Sequence, residues 1–255
     1  MNTQSKNFPP FFVISLDRAL DRREHITKTM NDLGLSFEII SATDGTFFTE
    51  NEQALYSRKE SLKLLGYELT PNEIACSISH VRVYEKMIRE NIEMALIFED
   101  DAKFDKSLID ALNNLDVFPD DWGLINFSSA TYTFPTDIEV IPGVVVSEFR
   151  KPPKFGAAYL LKLDTAKKLV ELAYPIRCPA DFLMGRAGLI YFKTYGVHPR
   201  IVGQIKEAGE GSNIGVRTHM PNLIWRMKRW LQFFIPIKYR NIPDLPDGTE
   251  TANPI

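Results

Sequence analysis

Short apolar runs, each broken off by charge, set the rhythm of the chain. Phe11-Phe12-Val13-Ile14-Ser15-Leu16 carries no charge and reads as a strand buried on both faces. Asp17-Arg18 and Asp21-Arg22-Arg23-Glu24 follow, and the spacing predicts a helix from about Arg22 to Leu33, stopped by Gly34. Phe37-Glu38-Ile39-Ile40 is β-rich, and Asp44-Gly45 marks a turn. The clearest helix start is Thr70-Pro71-Asn72-Glu73: Thr70 caps, Pro71 suits the first helical position, and Glu73 completes a capping box. Ile74, Ile78, Val81, Tyr84 and Ile88 then recur at helical spacing. Ala95-Leu96-Ile97-Phe98 is a short uncharged strand that runs straight into Glu99-Asp100-Asp101.

The second half is less regular. Gly123-Leu124-Ile125-Asn126-Phe127 and Ala157 to Leu163 read as strands, Asp164 as the cap of a helix through Ala173, and Tyr191 to Val197 as one more strand. Ser128 to Pro153 reads as loop-rich, with a short strand at Val144-Val145-Val146. Pro199 to Pro221, rich in glycine and polar residues, is expected to be a mobile loop. Strands alternating with helices imply an α/β sandwich with a mainly parallel central sheet flanked by helices. The expected organisation is one catalytic domain over 1–220 and a basic, aromatic segment over 221–255.

Composition narrows the class. With 44% apolar and 25% charged residues, the 255-residue chain is globular rather than disordered. A net charge of -3 supplies no overall basic field for nucleic acid. Two cysteines, Cys76 and Cys178, do not make a disulfide framework. The apolar run after the polar residues 1–10 is too short for a secretory leader, and no run reaches the roughly 20 apolar residues of a membrane span. The expected setting is cytoplasmic.

The acidic triplet carries the chemistry. Three carboxylates at a strand end repel one another and raise each other's pKa, a penalty that a divalent cation removes. Oxygen ligands suit Mg²⁺ or Mn²⁺, and the carboxyl ends of strands are where open α/β sheets bind ligands. Taken alone, such a triplet is more often a solvated turn; the capped helix and the strand before it favour a site.

Read together, these pieces resemble the bacterial family 25 glycosyltransferases of lipopolysaccharide and lipooligosaccharide assembly. The resemblance runs from about Phe11 to about Gly215. It is carried by Val13-Ile14-Ser15-Leu16-Asp17-Arg18 with Arg22-Arg23, by Ala42-Thr43-Asp44-Gly45, and by Leu69 through His80. Ala95 through Ala102, Phe155-Gly156-Ala157-Ala158-Tyr159, Pro179-Ala180-Asp181 and Ser212-Asn213-Ile214 complete it. The block through the triplet is the specific one. Ser15 departs from the family's usual Asn.

The resemblance implies a Rossmann-like fold of the glycosyltransferase A type, a UDP-sugar donor, a metal ion (Mn²⁺, or Mg²⁺) and an inverting reaction, most commonly β-galactosyl transfer. Its acceptor would be a lipid-linked oligosaccharide. On this reading Asp101 is the first metal ligand, and Glu99 and Asp100 either share the metal or bind the donor ribose. His219 or His198 is a further ligand, and Asp181 is the base for the acceptor hydroxyl or else a helix cap. Ser15, Leu16, Arg18, Arg22, Ser79, His80 and Gly156 face the donor, with Arg18, Arg22 and Arg23 matched to its phosphates. Each has a plainer alternative: a solvated helix face for the arginines, a packed hydrogen-bonded ring for His80. Cys76 and Tyr159 are assigned to packing.

The segment 223–240 mixes Trp225, Trp230, Phe233 and Phe234 with Arg226, Lys228 and Arg229. It suits either an anionic membrane surface or packing on its own domain. Glucosyl transfer, a metal-dependent phosphoesterase and a non-catalytic sugar-nucleotide-binding module are the competing functions.

Overall fold

Uncharged strands fold here as the middle of a sandwich, because each has apolar residues on both of its faces. A computed structural model describes residues 8–129, 133–149, 152–153 and 156–205. In chain order these form β1 (Phe11–Ser15), α1 (Leu20–Asp32), β2 (Glu38–Ser41), α2 (Glu50–Ala54), α3 (Arg58–Leu65), α4 (Pro71–Arg89), β3 (Met94–Glu99), β4 (Ala102–Lys103) and α5 (Lys106–Leu112). After a 3-10 turn come β5 (Trp122–Asn126), β6 (Thr133–Ile141), β7 (Val144–Phe149), β8 (Ala158–Lys162), α6 (Leu163–Ala173), α7 (Ala180–Gly188), β9 (Lys193–His198) and β10 (Gly203–Gln204).

Alternate residues of each strand enter two separate cores. Phe12, Ile14, Ala95, Ile97, Leu124, Tyr159 and Leu161 pack under α4, α6 and α7. Phe11, Val13, Leu96, Phe98, Ile125, Ala158 and Leu160 pack against Ile26 and Met30 of α1 and Leu108 and Ala111 of α5. The result is the expected α/β architecture, a central sheet with helices on both faces. The sheet has eight strands in the order β2-β1-β3-β8-β5-β9-β7-β6. Six of them run in one direction, while β8 and β7 run the other way.

The antiparallel β8 fixes where the site lies. It is inserted beside β3, with Phe98 opposite Ala158, and the Glu99 amide donates to the Ala157 carbonyl at 3.0 Å. The carboxyl ends of β1 and β3 and the start of β8 therefore meet at one edge. Helix α4 reaches that edge on the start signals read from sequence. Thr70 and Glu73 cap each other reciprocally, with Pro71 in the first turn, and Gly34 after α1 sits at φ 68°.

The structure corrects two readings. The stretch that reads as loop-rich holds the hairpin β6–β7, turned at Gly143 with φ 78°. Its register is irregular at several points, which blurs the period-2 pattern. Asp164 is not a cap: α6 starts one residue earlier, Lys162 holds the cap position, and Asp164 is exposed in the first turn, paired with Lys167. Among the described residues no helix is long and apolar enough to cross a membrane. The 221–255 segment, His219 and Ser212-Asn213-Ile214 lie outside the described residues, as does Phe155.

Candidate active site

Each acidic residue of the triplet has a different neighbour. Asp100 is buried, and its carboxylate accepts a 2.8 Å hydrogen bond from Ser15 Oγ at the end of β1. Arg22 of α1 faces its other oxygen at 3.6 Å. Burial pushes the Asp100 carboxyl above its ordinary range, against the pull of Ser15 and Arg22. Glu99 turns to the opposite side, where His80 Nε2 of α4 stands 3.4 Å from Oε1.

Asp101 begins the turn into β4. Its carbonyl accepts from the Ile205 amide at 2.8 Å, and the Gln204 amide group approaches its carboxylate at 3.4 and 3.5 Å, the long limit of a hydrogen bond. Burial first, and then the charge of Glu99, raises its pKa to about 6.

His80 is fixed from behind. Its Nδ1 lies 2.8 Å from Tyr159 Oη on β8, and Tyr159 Oη lies 2.9 Å from Tyr84 Oη on α4. All three side chains are buried. The ring is thus the packed, hydrogen-bonded histidine that sequence offers as the plainer reading, and its Nε2 faces Glu99. Tyr159 is core, as expected, and is also the group that orients His80.

The sequence assigns Cys76 to packing, and the structure gives it more. It stands one helical turn before His80, and its Sγ, a His80 ring nitrogen and a Glu99 oxygen all lie within 4.8 Å of one another. Burial, and then the charges of Glu99, Asp181 and Asp101, push its thiol well above the usual value. The same influence puts Asp181, 80 residues downstream of Asp101, in the electrostatic reach of this cluster. Asp181 lies in the first turn of α7 behind Pro179, which holds the cap position. Gly156 lines the same place: a Cβ there would lie 3.9 Å from Glu99 Oε1 and 2.9 Å from Met184 Cε.

Other predicted donor residues serve the neighbouring loop. Ser79 Oγ accepts from the Thr43 amide at 2.9 Å and donates to the Ala75 carbonyl, so it anchors the Ala42-Thr43-Asp44-Gly45 loop on α4. Arg18 is exposed and paired with Asp44, whose carboxyl it holds far below the usual range. Leu16 is half-buried, and its carbonyl accepts from the Ala19 amide at the approach to α1. His198 is exposed at the end of β9, paired across to Val145.

A divalent cation suits this donor set. Glu99 and Asp101 offer oxygen ligands at a strand's carboxyl end, and burial together with the charge of Glu99 makes the charged form of Asp101 costly, a penalty a cation would reduce. Asp100 is already engaged by Ser15 and Arg22.

Known proteins resemble the chain in the same region. The family described as glycosyltransferase family 25 (LPS biosynthesis protein) matches residues 8–184. Human procollagen galactosyltransferase 2 is 26% identical over 96% of this chain and 38% of its own length. The human inactive glycosyltransferase 25 family member 3 is 31% identical over 67% of this chain and 30% of its own length. The chain thus spans about a third of the curated relatives it matches. Among solved structures, an inositol-1-phosphate CTP transferase from T. maritima overlays at a TM-score of 0.40 with 11% identity, over 81% of this chain and 93% of that one. The matched region runs from the first strand, through the acidic triplet, to Asp181 and the start of α7. The chain belongs to glycosyltransferase family 25.

Proposed function

We propose that this protein is a metal-assisted, inverting galactosyltransferase. It takes the sugar from UDP-galactose and joins it to a hydroxyl of a lipooligosaccharide chain. The observation that carries the reading is the separation of roles within one triplet. Asp100 is tied down by Ser15 and Arg22, Glu99 faces His80 Nε2 at 3.4 Å, and Asp101 has its proton affinity raised by burial and by the charge of Glu99. The active relatives' galactosyl chemistry supports the choice of sugar, and the family's description supports the acceptor.

Asp101 and Glu99 would hold Mn²⁺ (or Mg²⁺), with His219 as a further ligand; the bound cation offsets charge on the departing diphosphate. Asp100 and Ser15 brace this edge, with Arg22 beside the phosphates and His80 and Ser79 behind the sugar side. Gly156 leaves room for the sugar to approach Glu99. The acceptor oxygen attacks the anomeric carbon as the bond to the UDP oxygen breaks. Asp181 takes the hydroxyl proton, so the products are the inverted glycoside, UDP and a protonated carboxyl. Trp225, Trp230 and the neighbouring cations suit attachment to the cytoplasmic face of an anionic membrane, where a lipid-linked acceptor would be met.

The experiment is a panel of UDP-sugars with Mn²⁺, read by UDP release and by acceptor mass. UDP-galactose should give release and a hexose added to the acceptor. Release with UDP-glucose instead would reassign the sugar. Asp181→Asn should keep donor binding and lose turnover; near-normal turnover would remove Asp181 as the base. The 31% identity to a relative named as inactive favours one second reading, a non-catalytic sugar-nucleotide-binding module. That module would bind donor and release no UDP with any of them.

A further inference from the structure

Two chemically different sets of ligands meet at Glu99. One is all oxygen. The other is the mixed set Cys76 Sγ, His80 Nε2 and Glu99 Oε1, on α4 and the end of β3. We propose that this second set is a binding site for a borderline-soft divalent cation of the Zn²⁺ class, distinct in preference from the carboxylate site at Asp101.

Three observations converge. Cys76 and His80 are four residues apart on one helix, so both side chains leave the same face. The His80 Nε2 to Glu99 Oε1 separation is 3.4 Å, and tetrahedral zinc with nitrogen and oxygen ligands at about 2.0–2.2 Å holds adjacent ligand atoms about 3.4 Å apart. The thiol needs only a small adjustment, since all three ligand atoms already lie within 4.8 Å.

The tyrosine relay supplies what a metal-bound imidazole needs. With Nδ1–H donating to Tyr159 Oη, and Tyr159 donating in turn to Tyr84, the Nε2 lone pair is left aimed at Glu99 and Cys76. That tautomer also accounts for the gap to Glu99, which is too long for a good hydrogen bond. Cys76 and Glu99 are half-buried rather than sealed, which leaves a route for the ion.

A thiolate beside an imidazole selects zinc over manganese or magnesium. On binding, Cys76 gives its proton to solvent and its sulfur to the metal. Three protein ligands leave the fourth position to water. Because Glu99 belongs to both sets, zinc should inhibit Mn²⁺-supported transfer; that consequence rests on the function proposed above, whereas binding itself does not.

The test uses Co²⁺ with the full chain and reads the near-ultraviolet thiolate-to-cobalt charge-transfer band, so it is independent of turnover. The expected result is a band that saturates at one equivalent and is displaced by Zn²⁺. It should be absent in Cys76→Ser, present in Cys178→Ser, and about tenfold or more weaker in apparent affinity for Tyr159→Phe, which removes the support of His80. If Cys76→Ser does not fold, as judged by far-ultraviolet circular dichroism, His80→Gln takes its place and should lose saturation at one equivalent. No band in the wild type, a band persisting in folded Cys76→Ser, or an unchanged titration for His80→Gln would overturn the site. A chain that binds Co²⁺ at Cys76 yet releases no UDP would sink the transferase and leave this site standing.

Discussion

Replacing Asp101 by Asn should make the metal-free protein more stable while removing its activity. The carboxyl titrates at about 6 in the folded chain, against an ordinary value of 3.8. Each tenfold change in proton affinity is worth about 1.4 kcal/mol, so at neutral pH the charged side chain costs the folded state up to about 3 kcal/mol. This is an upper figure, because Asp101 is half-buried and water screens one side of it. The sign follows from proton binding. Between pH 3.8 and about 6 the folded state holds more of this proton than the unfolded state, so stability falls as pH rises through that window and stays low above it. The amide of the Asp101→Asn variant cannot titrate, so its advantage should be near zero at about pH 4 and reach roughly 1–3 kcal/mol at about pH 7, or about 2–4 °C of Tm per kcal/mol. Urea unfolding at several pH values, in chelator, measures it. Adding Mn²⁺ should reverse the order, since a cation at about one thousand times its Kd stabilises the wild type by about 4.1 kcal/mol. A variant less stable than wild type at neutral pH, or a difference that does not change with pH, would refute the reasoning.

Three further outcomes are expected. Tyr84→Phe and Tyr159→Phe shorten the buried relay behind His80, and each should cost about 1–3 kcal/mol in denaturant unfolding, with Tyr159→Phe the worse because it strands Nδ1. Gly45→Ala places a Cβ 2.8 Å from the Pro71 carbonyl carbon and 2.9 Å from the Asn72 amide, both backbone, so it should cost about 1–3 kcal/mol and loosen the loop against α4. Ser15→Ala removes the hydroxyl from buried Asp100 and should destabilise by about 1–3 kcal/mol at neutral pH, the loss shrinking on acidification as the carboxyl takes up a proton; unfolding at about pH 7 and about pH 4 reads both.

What can be read in advance is whatever the chain encodes locally. The Thr70-Pro71-Asn72-Glu73 cap, the Gly34 stop and the apolar runs of strands β1 and β3 all rest on neighbours in sequence, and all appear as expected. The hairpin β6–β7 does not announce itself, because register breaks disturb its alternation and its pairing with β9 is long-range. The direction of β8 is equally hidden: an uncharged strand looks the same whichever way it runs. In the site, the triplet is visible as a run of like charge. Its division of labour is not, since Ser15 is 85 residues from Asp100 and Tyr159 is 79 from His80. Cys76 does carry a signal, its four-residue spacing from His80 on a helix with a strong cap, and packing alone does not use it. Ser79, one residue before His80, also anchors the Thr43 loop, a contact 36 residues away in sequence that no local pattern shows.

The most direct test of the carboxylate cation site is Mn²⁺ binding followed by loss of the free-ion electron paramagnetic resonance signal, in the presence of UDP. Wild type should take up one ion per chain, Asp101→Asn should take up none at the same concentrations, and Glu99→Gln should bind at least about tenfold more weakly. Uptake that is absent in the wild type, or unchanged in Asp101→Asn, would contradict the account.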